Sequence, residues 1–249
     1  DAGEDDEPEA YWYYFQANGK AMKNTTNKVA LKTINGKKYT FDDEGKMLYG
    51  WVNDQNEHVD NTDGDAFKSA DYYFGDENDG AMTTGWLLTD ITYSEATEDA
   101  YKFTGGAAFN DDEENWYYAD GSGNIYAGEF KTIKGKKYAF RNDGRMVSGL
   151  KFIDSDFNVC ADDKEGREFD TEDDFLKNAP GYLDEGYSLY YFGDSSDGAM
   201  KTGKTNVTID GDSYSFYFDK SGSTKGAGYS GEKDSKLYLA GMMLKADSD

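Results

Sequence analysis

The sequence predicts an all-β protein: an elongated, solenoid-like array of β-hairpin repeats with two irregular insertions, the second carrying a short helix. Three observations support this fold class. A four-residue aromatic motif recurs along the chain, glycines follow it at fixed distances, and the 249 residues include 29 glycines but only 2 prolines, with 16% aromatic residues. Frequent glycine-closed turns and a core of rings are typical of short strands that repeat in sequence.

The aromatic motif has six copies, and glycine closes the polar turn that follows each one. The copies span residues 12–15, 38–41, 71–74, 116–119, 137–140 and 189–192, and the closing glycines are Gly19, Gly45, Gly80, Gly123, Gly144 and Gly198. In five copies a Met or Ile lies two residues after that glycine, and another glycine lies three residues beyond it. These residues are Met47, Met82, Ile125, Met146 and Met200, with Gly50, Gly85, Gly128, Gly149 and Gly203. The shared register predicts one structural unit repeated along the chain.

Each copy has the pattern of a hairpin strand. Asn35-Gly36 supplies the two positive-φ residues of a tight turn, and the strand after it alternates its side chains between two faces. We expect the first and third motif positions to face outward and the second and fourth to face the core. The inward set is Tyr13, Phe15, Tyr39, Phe41, Tyr72, Phe74, Tyr138, Phe140, Tyr190 and Phe192. One hairpin cannot bury such a face alone, but stacked neighbours can.

The repeats form two blocks, because segments 33–39 and 72–76 recur at 132–138 and 190–194. We expect a flexible acidic N-terminus at 1–10, a first block at 11–131 with an insertion at 53–70, and a second block at 132–249 with an insertion at 151–188 and a C-terminal cap. In the second insertion, Thr171 is placed to cap one or two helical turns that end near Pro180. The insertions would either widen a binding surface or seal an edge.

Charge and composition disfavour several function classes. With 26 basic and 50 acidic residues the net charge is −24, so the chain should repel nucleic acid. One cysteine and one histidine leave little material for a disulfide framework, a zinc site or histidine catalysis. Cys160 is interpreted as a buried thiol and His58 as a surface residue. We therefore expect no enzyme activity, no cofactor and no metal, and the absence of a long apolar run predicts no membrane insertion.

The acidic turns at 60–65 and 76–80 are rich in carboxylate oxygens, which raises the question of calcium. Neither turn fits the twelve-residue calcium loop, since Val59 and Gly75 stand where its first carboxylate is needed. Solvated hairpin turns, in which Asp and Asn bond their own backbone, explain both segments better.

The sequence resembles the cell-wall-binding repeat family, which includes choline-binding modules, glucan-binding repeats and the repetitive tails of clostridial toxins. The resemblance rests on the aromatic motif, the polar turn, and the Met-to-Gly-Trp segments 47–51 and 82–86. It implies a β-hairpin solenoid that is secreted or held at the bacterial cell surface, and that binds envelope material noncovalently.

The resemblance also implies a ligand site of outward rings between successive hairpins. The candidate ligand-binding residues are Trp12, Tyr14, Trp51, Tyr73, Trp86, Trp116 and Tyr118. The expected partner is a cell-wall polymer or glycan, with choline as a further candidate at cages around Trp51 and Trp86. In the alternative interpretation these rings pack on a neighbouring repeat or an insertion. Two other functions stay open: adhesion to a host or bacterial surface protein through the insertions, or targeting of a larger secreted hydrolase or toxin.

Overall fold

The computed structural model describes residues 10–58, 70–89, 114–142, 144–157, 159–160, 169 and 171–245. The chain divides into two compact units. The N-terminal unit comprises Asp1–Thr97 and Asp111–Tyr126, and the C-terminal unit comprises Glu98–Asn110 and Ala127–Asp249. The predicted block boundary after residue 131 stays a prediction. The acidic turn at 60–65, most of the first insertion and most of the N-terminal stretch lie outside the described residues.

The described residues of the N-terminal unit form three two-stranded antiparallel sheets, which pair β1 with β2, β3 with β4, and β5 with β6. The strands are β1 (Lys32–Ile34), β2 (Lys37–Tyr39), β3 (Trp51–Asn53), β4 (Ala70–Tyr73), β5 (Gly85–Thr89) and β6 (Asn115–Ala119). The first motif copy forms only an isolated bridge between Phe15 and Ala21.

The C-terminal unit has a hairpin of β7 and β8, a three-stranded sheet in the order β10-β9-β11, and a five-stranded sheet in the order β12-β13-β16-β15-β14. Its elements are β7 (Glu129–Ile133), β8 (Lys136–Phe140), β9 (Leu150–Ile153), β10 (Val159–Cys160), α1 (Glu172–Asp184), β11 (Ser188–Tyr191), β12 (Gly203–Ile209), β13 (Asp212–Phe218), β14 (Gly231–Lys233), β15 (Lys236–Leu239) and β16 (Met242–Met243). All strand pairs in both units are antiparallel. The predicted series of antiparallel hairpins with one short helix is confirmed.

Successive repeats are joined by one recurring backbone hydrogen bond. The N–H at the Met position of one repeat donates to the carbonyl at the first motif position of the repeat before it. The pairs are Met47 to Trp12, Met82 to Lys38 and Ile125 to Asp71 in the N-terminal unit, and Met200 to Lys137 and Gly228 to Leu189 in the C-terminal unit, each at 2.8 or 2.9 Å. Because the donor lies beyond the turn of the later repeat, the bond fixes the stacking register between neighbours.

The methionine side chains make a second link by covering the closing glycine of the next turn. The pairs are Met47 over Gly80, Met82 over Gly123, Met146 over Gly198 and Met200 over Gly226. A Cβ at Gly80 would overlap both the Sδ and the Cε of Met47. Glycine is therefore needed here for space as well as for its positive φ of 53°.

The fourth motif position is the main core position. Phe41, Phe74, Phe140 and Phe192 are at most 2% exposed, and Tyr138 is also buried. The other predicted inward tyrosines, Tyr39, Tyr72 and Tyr190, are half-buried.

The inward prediction is wrong for the first copy, where Tyr13 is 43% and Phe15 is 63% exposed. A Cβ placed at Gly19 would meet no described atom within 4 Å, so this turn has none of the cover that methionine gives to later turns. Burial of the inward face depends on a neighbouring repeat, and among the described residues the first copy has a neighbour on one side.

The described parts of the two insertions cover the outward face of the repeat before them. Asn56 donates from Nδ2 to the Phe41 carbonyl (2.9 Å) and accepts from the Thr40 hydroxyl, so Thr40 is buried. In the C-terminal unit, Phe157 packs in one cluster with Ala139, which is fully buried. Thr40 and Ala139 occupy the third motif position, where we expected outward exposure, and the insertions account for the difference.

The helix predicted in the second insertion is confirmed, and Thr171 caps it by accepting the Asp174 N–H at 3.1 Å. The helix continues through Pro180 to Asp184 instead of ending near the proline. Phe175 and Ala179 are fully buried in the core of the unit, and Tyr182 and Leu183 beyond the proline pack against that core. Packing on both sides of Pro180 offsets the lost backbone bond, which costs about 3 kcal/mol. Neither this helix nor any other helical segment in the described ranges is long and apolar enough to cross a membrane.

The methionine–glycine contact can be tested with two glycines of the N-terminal unit. Gly36→Ala introduces only the cost of a positive φ (83°), about 1–2 kcal/mol, because a Cβ there meets nothing within 4 Å. Gly80→Ala adds the overlap with the Met47 side chain, which must shift, so we expect a loss in the free energy of unfolding that exceeds that of Gly36→Ala by about 1 kcal/mol, measured with urea. In a double-mutant cycle, Met47→Ala should recover part of that loss in the Gly80→Ala background. Equal losses for the two glycine variants would contradict the contact's role.

Candidate functional site

The predicted site residues of the N-terminal unit occupy matched strand positions. Trp51 pairs with Tyr73 across β3 and β4, and Trp86 pairs with Tyr118 across β5 and β6. The residue after the second glycine of one repeat therefore faces the third motif position of the next, which places a Trp–Tyr pair on each sheet.

Trp51 is a core residue and not a surface residue. Its side chain is 5% exposed, and its ring makes edge contacts with Tyr73 (centroids 5.1 Å apart) and with the buried Tyr117 (4.9 Å). The ring therefore forms a floor and does not offer an open stacking face. Most of the Trp51 surface therefore packs against neighbouring residues, as in the alternative interpretation of these rings.

A cleft of about 330 Å³ opens beside Trp51. We call it the second cleft; its lining residues are Tyr49, Gly50, Trp51, His58, Tyr73, Gly75, Asp76 and Glu77. The exposed His58 ring lies 5.3 Å from the ring of Tyr49, as expected for a surface histidine. Partial burial, with the nearby Glu77 carboxylate and Tyr11, raises the pKa of Tyr49, and its hydroxyl can donate a hydrogen bond.

A first cleft of about 230 Å³ lies between the earlier repeats. It is lined by Trp12, Tyr13, Tyr14, Ile34, Tyr39, Phe41, Met47, Asn78 and Asp79. The ring of Trp12 is 57% and that of Tyr14 is 40% exposed, so both predicted site residues present free ring surface here. Phe15 is even more exposed but does not line the cleft.

One acidic turn contributes to both clefts. Asp76 and Glu77 line the second cleft, whereas Asn78 and Asp79 line the first. Asp76 Oδ1 accepts the N–H groups of Asn78 (2.8 Å) and Asp79 (3.0 Å), and Asp79 pairs with Lys37 at 3.0 Å. The side chain of Asp76 thus closes the turn. The carboxylate of Glu77 lies at the rim of the second cleft.

Equivalent aspartates close three other turns, those that begin at Asp42, Asp120 and Asp194. Asp194 accepts hydrogen bonds from the Ser196 hydroxyl (2.7 Å) and from the N–H groups of Ser196 and Asp197, which lowers the pKa of Asp194. Carboxylate oxygens in these turns bond to backbone, as in the solvated-turn interpretation. Within the described residues, no group of three or more His, Cys, Asp or Glu side chains is arranged to hold a metal ion.

The remaining predicted rings form a separate aromatic group on β5 and β6. Trp86 contacts Trp116 (6.1 Å, 89°) and Tyr118 (5.1 Å, 81°), and Tyr118 stacks on Tyr126 (5.4 Å, 14°). All four rings are half-buried, so much of their surface is used in contacts with one another. The seven predicted site residues thus lie in three places: the first cleft, the second cleft and this group.

Sequence analysis did not select Tyr49, Tyr39, Glu77 or Asp79. Tyr49 directly precedes Gly50-Trp51, so its neighbourhood was visible in the repeat. Tyr39 was assigned to the core, and the two acids were indistinguishable from many others in a chain with 50 acidic residues.

No protein-family model matches the chain. Glucosyltransferase-S of Streptococcus mutans serotype c is 31% identical in an alignment 177 positions long, and the match covers 55% of this chain and 11% of that protein. Two crystal structures of choline binding protein F from Streptococcus pneumoniae match at 20% identity with TM-scores of 0.54 and 0.55. One of them was determined in the presence of a peptidoglycan analogue, a tetrasaccharide-pentapeptide.

These matches cover 96% and 95% of this chain, which spans 56% of choline binding protein F. The resemblance to cell-wall-binding repeats is confirmed at the level of the fold: the chain has the hairpin-repeat architecture of choline-binding repeat domains. The chain spans only a small part of the glucosyltransferase and about half of the choline-binding protein.

The different burial of two tryptophans predicts different effects on stability. Trp51→Ala removes a fully packed ring and should lower the free energy of unfolding by about 3–5 kcal/mol. Trp12→Ala removes a mostly exposed ring and should change it by no more than about 0.5 kcal/mol. Urea unfolding of both variants measures the difference, and a large loss for Trp12→Ala would show that this ring has a structural role.

Proposed function

We propose that this chain is a non-catalytic module that binds a bacterial cell-wall polymer or a related glycan outside the cell. The observation that carries the proposal is the pair of adjoining clefts in the N-terminal unit, with aromatic walls and one acidic turn between them. Their volumes are close to the lower end of the range for ligand sites, which suits a sugar or a small substituent of a polymer.

The first cleft is suited to a saccharide. The exposed rings of Trp12 and Tyr14 provide flat apolar surface for the C–H face of a sugar, and their polar atoms can bond to its hydroxyls. Asn78 and Asp79 stand at the same cleft and add an amide and a carboxylate. A saccharide needs both kinds of contact, since each sugar ring has an apolar face and a rim of hydroxyl groups.

The second cleft is suited to a cationic substituent. The rings of Tyr49 and Tyr73 lie beside the edge of the Trp51 ring, and Glu77 places a negative charge at the rim of the cleft. Ring faces and carboxylates both attract an ammonium group, and their effects add when the site is partly desolvated. Choline is a ligand with this chemistry, and two adjoining weak sites would gain strength on one polymer through avidity.

Binding by the clefts agrees better with the structure than adhesion through the insertions. Asn56 in the first insertion and Phe157 and Phe175 in the second are buried against the repeats they follow or precede. These described residues of the insertions are used for packing, whereas the first cleft presents open ring surface at Trp12 and Tyr14. The match to glucosyltransferase-S supports a further proposal, that the module targets a larger secreted enzyme to its polymer.

The saccharide proposal predicts a difference between two exposed rings of the first motif copy. Trp12→Ala should weaken retention on purified streptococcal cell walls or on an immobilised glucan by about tenfold, which corresponds to about 1.4 kcal/mol. Phe15→Ala is the matched control: its ring is 63% exposed but lies outside the cleft, so retention should change less than twofold. Equal retention by both variants and the unmodified chain would exclude the first cleft as the binding site.

The ligand class of the second cleft can be tested at two acidic turns. Glu77→Gln should weaken choline binding about threefold at low salt, with a smaller effect at high salt because the charge is exposed. Asp43→Asn, in the corresponding turn of the preceding repeat and outside both clefts, should have no effect. Titration calorimetry measures both, and identical choline affinities for the two variants would argue against a cation in this cleft.

A further inference from the structure

The tripeptide Asn-Gly-Lys occurs twice in the sequence, at 18–20 and at 35–37. Both copies lie in exposed turns of the N-terminal unit, one after the first motif copy and the other between β1 and β2. Because glycine has no Cβ, its backbone nitrogen is open to the amide side chain of the asparagine before it. The two turns therefore have the same local chemistry, and a difference in their reactivity has to come from the structure.

In the first of these turns, the asparagine side chain and the glycine N–H are both hydrogen-bonded. Oδ1 of Asn18 accepts the N–H of Lys20 at 3.0 Å, and the N–H of Gly19 donates to the Gln16 carbonyl at 2.8 Å. The Gly19 nitrogen can reach the carbonyl carbon of the Asn18 side chain only if both bonds are broken. The structure therefore holds these two groups apart.

The turn between β1 and β2 leaves the same two groups unbonded. Within the described part of the chain, the Asn35 side chain makes no hydrogen bond, and the Gly36 N–H has no acceptor. The φ angles of 49° at Asn35 and 83° at Gly36 are those of the central pair in a type I′ turn, which strand pairing holds through Ile34 and Lys37. A Cβ at Gly36 would meet nothing within 4 Å, so there is space for a ring to form here.

We propose that Asn35 is a site of spontaneous deamidation, and that the hydrogen bonds of Asn18 protect that residue from the same reaction. The deprotonated backbone nitrogen of Gly36 attacks Cγ of Asn35, and the new N–C bond closes a succinimide ring. The side-chain nitrogen leaves as ammonia and takes up the proton that Gly36 lost. Water then adds to either ring carbonyl, and the ring opens to aspartate or to β-aspartate. Nothing is oxidised or reduced, and water is the co-reactant.

The two products differ in their effect on the hairpin. Aspartate keeps the main chain unchanged, and Asp-Gly suits a type I′ turn as Asn-Gly does. β-Aspartate leads the main chain through its side-chain carbons and lengthens the turn by one atom, which disturbs the pairing of Ile34 with Lys37. Ile34 lines the first cleft, and Lys37 pairs with Asp79 of that cleft. If the proposed function holds, β-aspartate at this position weakens binding by the first cleft.

The modification is tested by ageing the whole chain in mildly alkaline buffer and measuring the conversion of each asparagine by peptide mass spectrometry. Two hydrogen bonds that must be broken correspond to a factor of about ten in rate, so Asn35 should convert about tenfold faster than Asn18. The rate at Asn35 should rise with pH, because the attacking nitrogen must lose its proton. In guanidinium chloride the turns are unfolded, and the two rates should differ by less than about threefold.

Two variants complete the test. Asn35→Gln has a longer side chain that cannot close a succinimide ring, so this position should stay unmodified. Freshly prepared Asn35→Asp carries the added charge in an unchanged main chain, and its retention on cell walls should be that of the fresh unmodified chain, whereas β-aspartate formed on ageing should lower retention. Conversion of Asn18 in the folded chain as fast as that of Asn35 would overturn the proposal. Conversion at Asn35 with undiminished retention would contradict the role of the first cleft alone, so the two proposals fail separately.

Discussion

The structure depends on the contact between the methionine of one repeat and the closing glycine of the next turn. A two-stranded hairpin alone has too little buried surface to be stable in water. The side chain of Met47 covers Gly80, and its own N–H donates to the Trp12 carbonyl, so one residue links three repeats. Packing and backbone bonding thus come from the same position at Met47, Met82 and Met200, which explains why the spacing from Gly to Met is constant in these copies.

This constraint explains which parts of the fold the sequence could predict. Turn glycines and fourth-position rings such as Phe74 are fixed by the repeat itself, and both were identified from spacing. The exposure of Phe15 was not predictable from the motif, because burial depends on a neighbouring repeat that the motif does not encode. Thr40 and Ala139 were missed for the opposite reason: residues of the insertions cover a face that the repeat alone would leave open. The helix was predicted from its cap, but Pro180 suggested an end that core packing overrides.

The candidate site was predictable only in part for related reasons. Trp12, Tyr14, Trp51 and Tyr73 line clefts, as their outward or post-glycine positions suggested. Their exposure, however, differs from about half for Trp12 to almost none for Trp51, since Tyr73 and Tyr117 close around the latter. The acidic turn at 76–79 joins the two clefts only after the repeats stack. The position of a residue in the repeat therefore predicts that it lines a cleft. How much of its ring a ligand can reach depends on the neighbouring copies of the repeat.

The position of charge relative to the rings differs between the second cleft and a group of tyrosines in the C-terminal unit. In the second cleft the rings stand next to the carboxylate of Glu77, so the local charge is negative. The residues that line this cleft include no lysine or arginine that could place a cation on the rings. In the C-terminal unit, the Nζ of Lys233 lies 4.7 Å from the ring centroid of Tyr217, and an ammonium group is stabilised more among partly buried rings than at an exposed surface. The rings of the second cleft therefore lie beside an acid, whereas the rings of Tyr217 and Tyr229 already contact a lysine of the neighbouring hairpin. In a chain of net charge −24, the placement of one basic residue thus gives these two rings a cation from the chain itself.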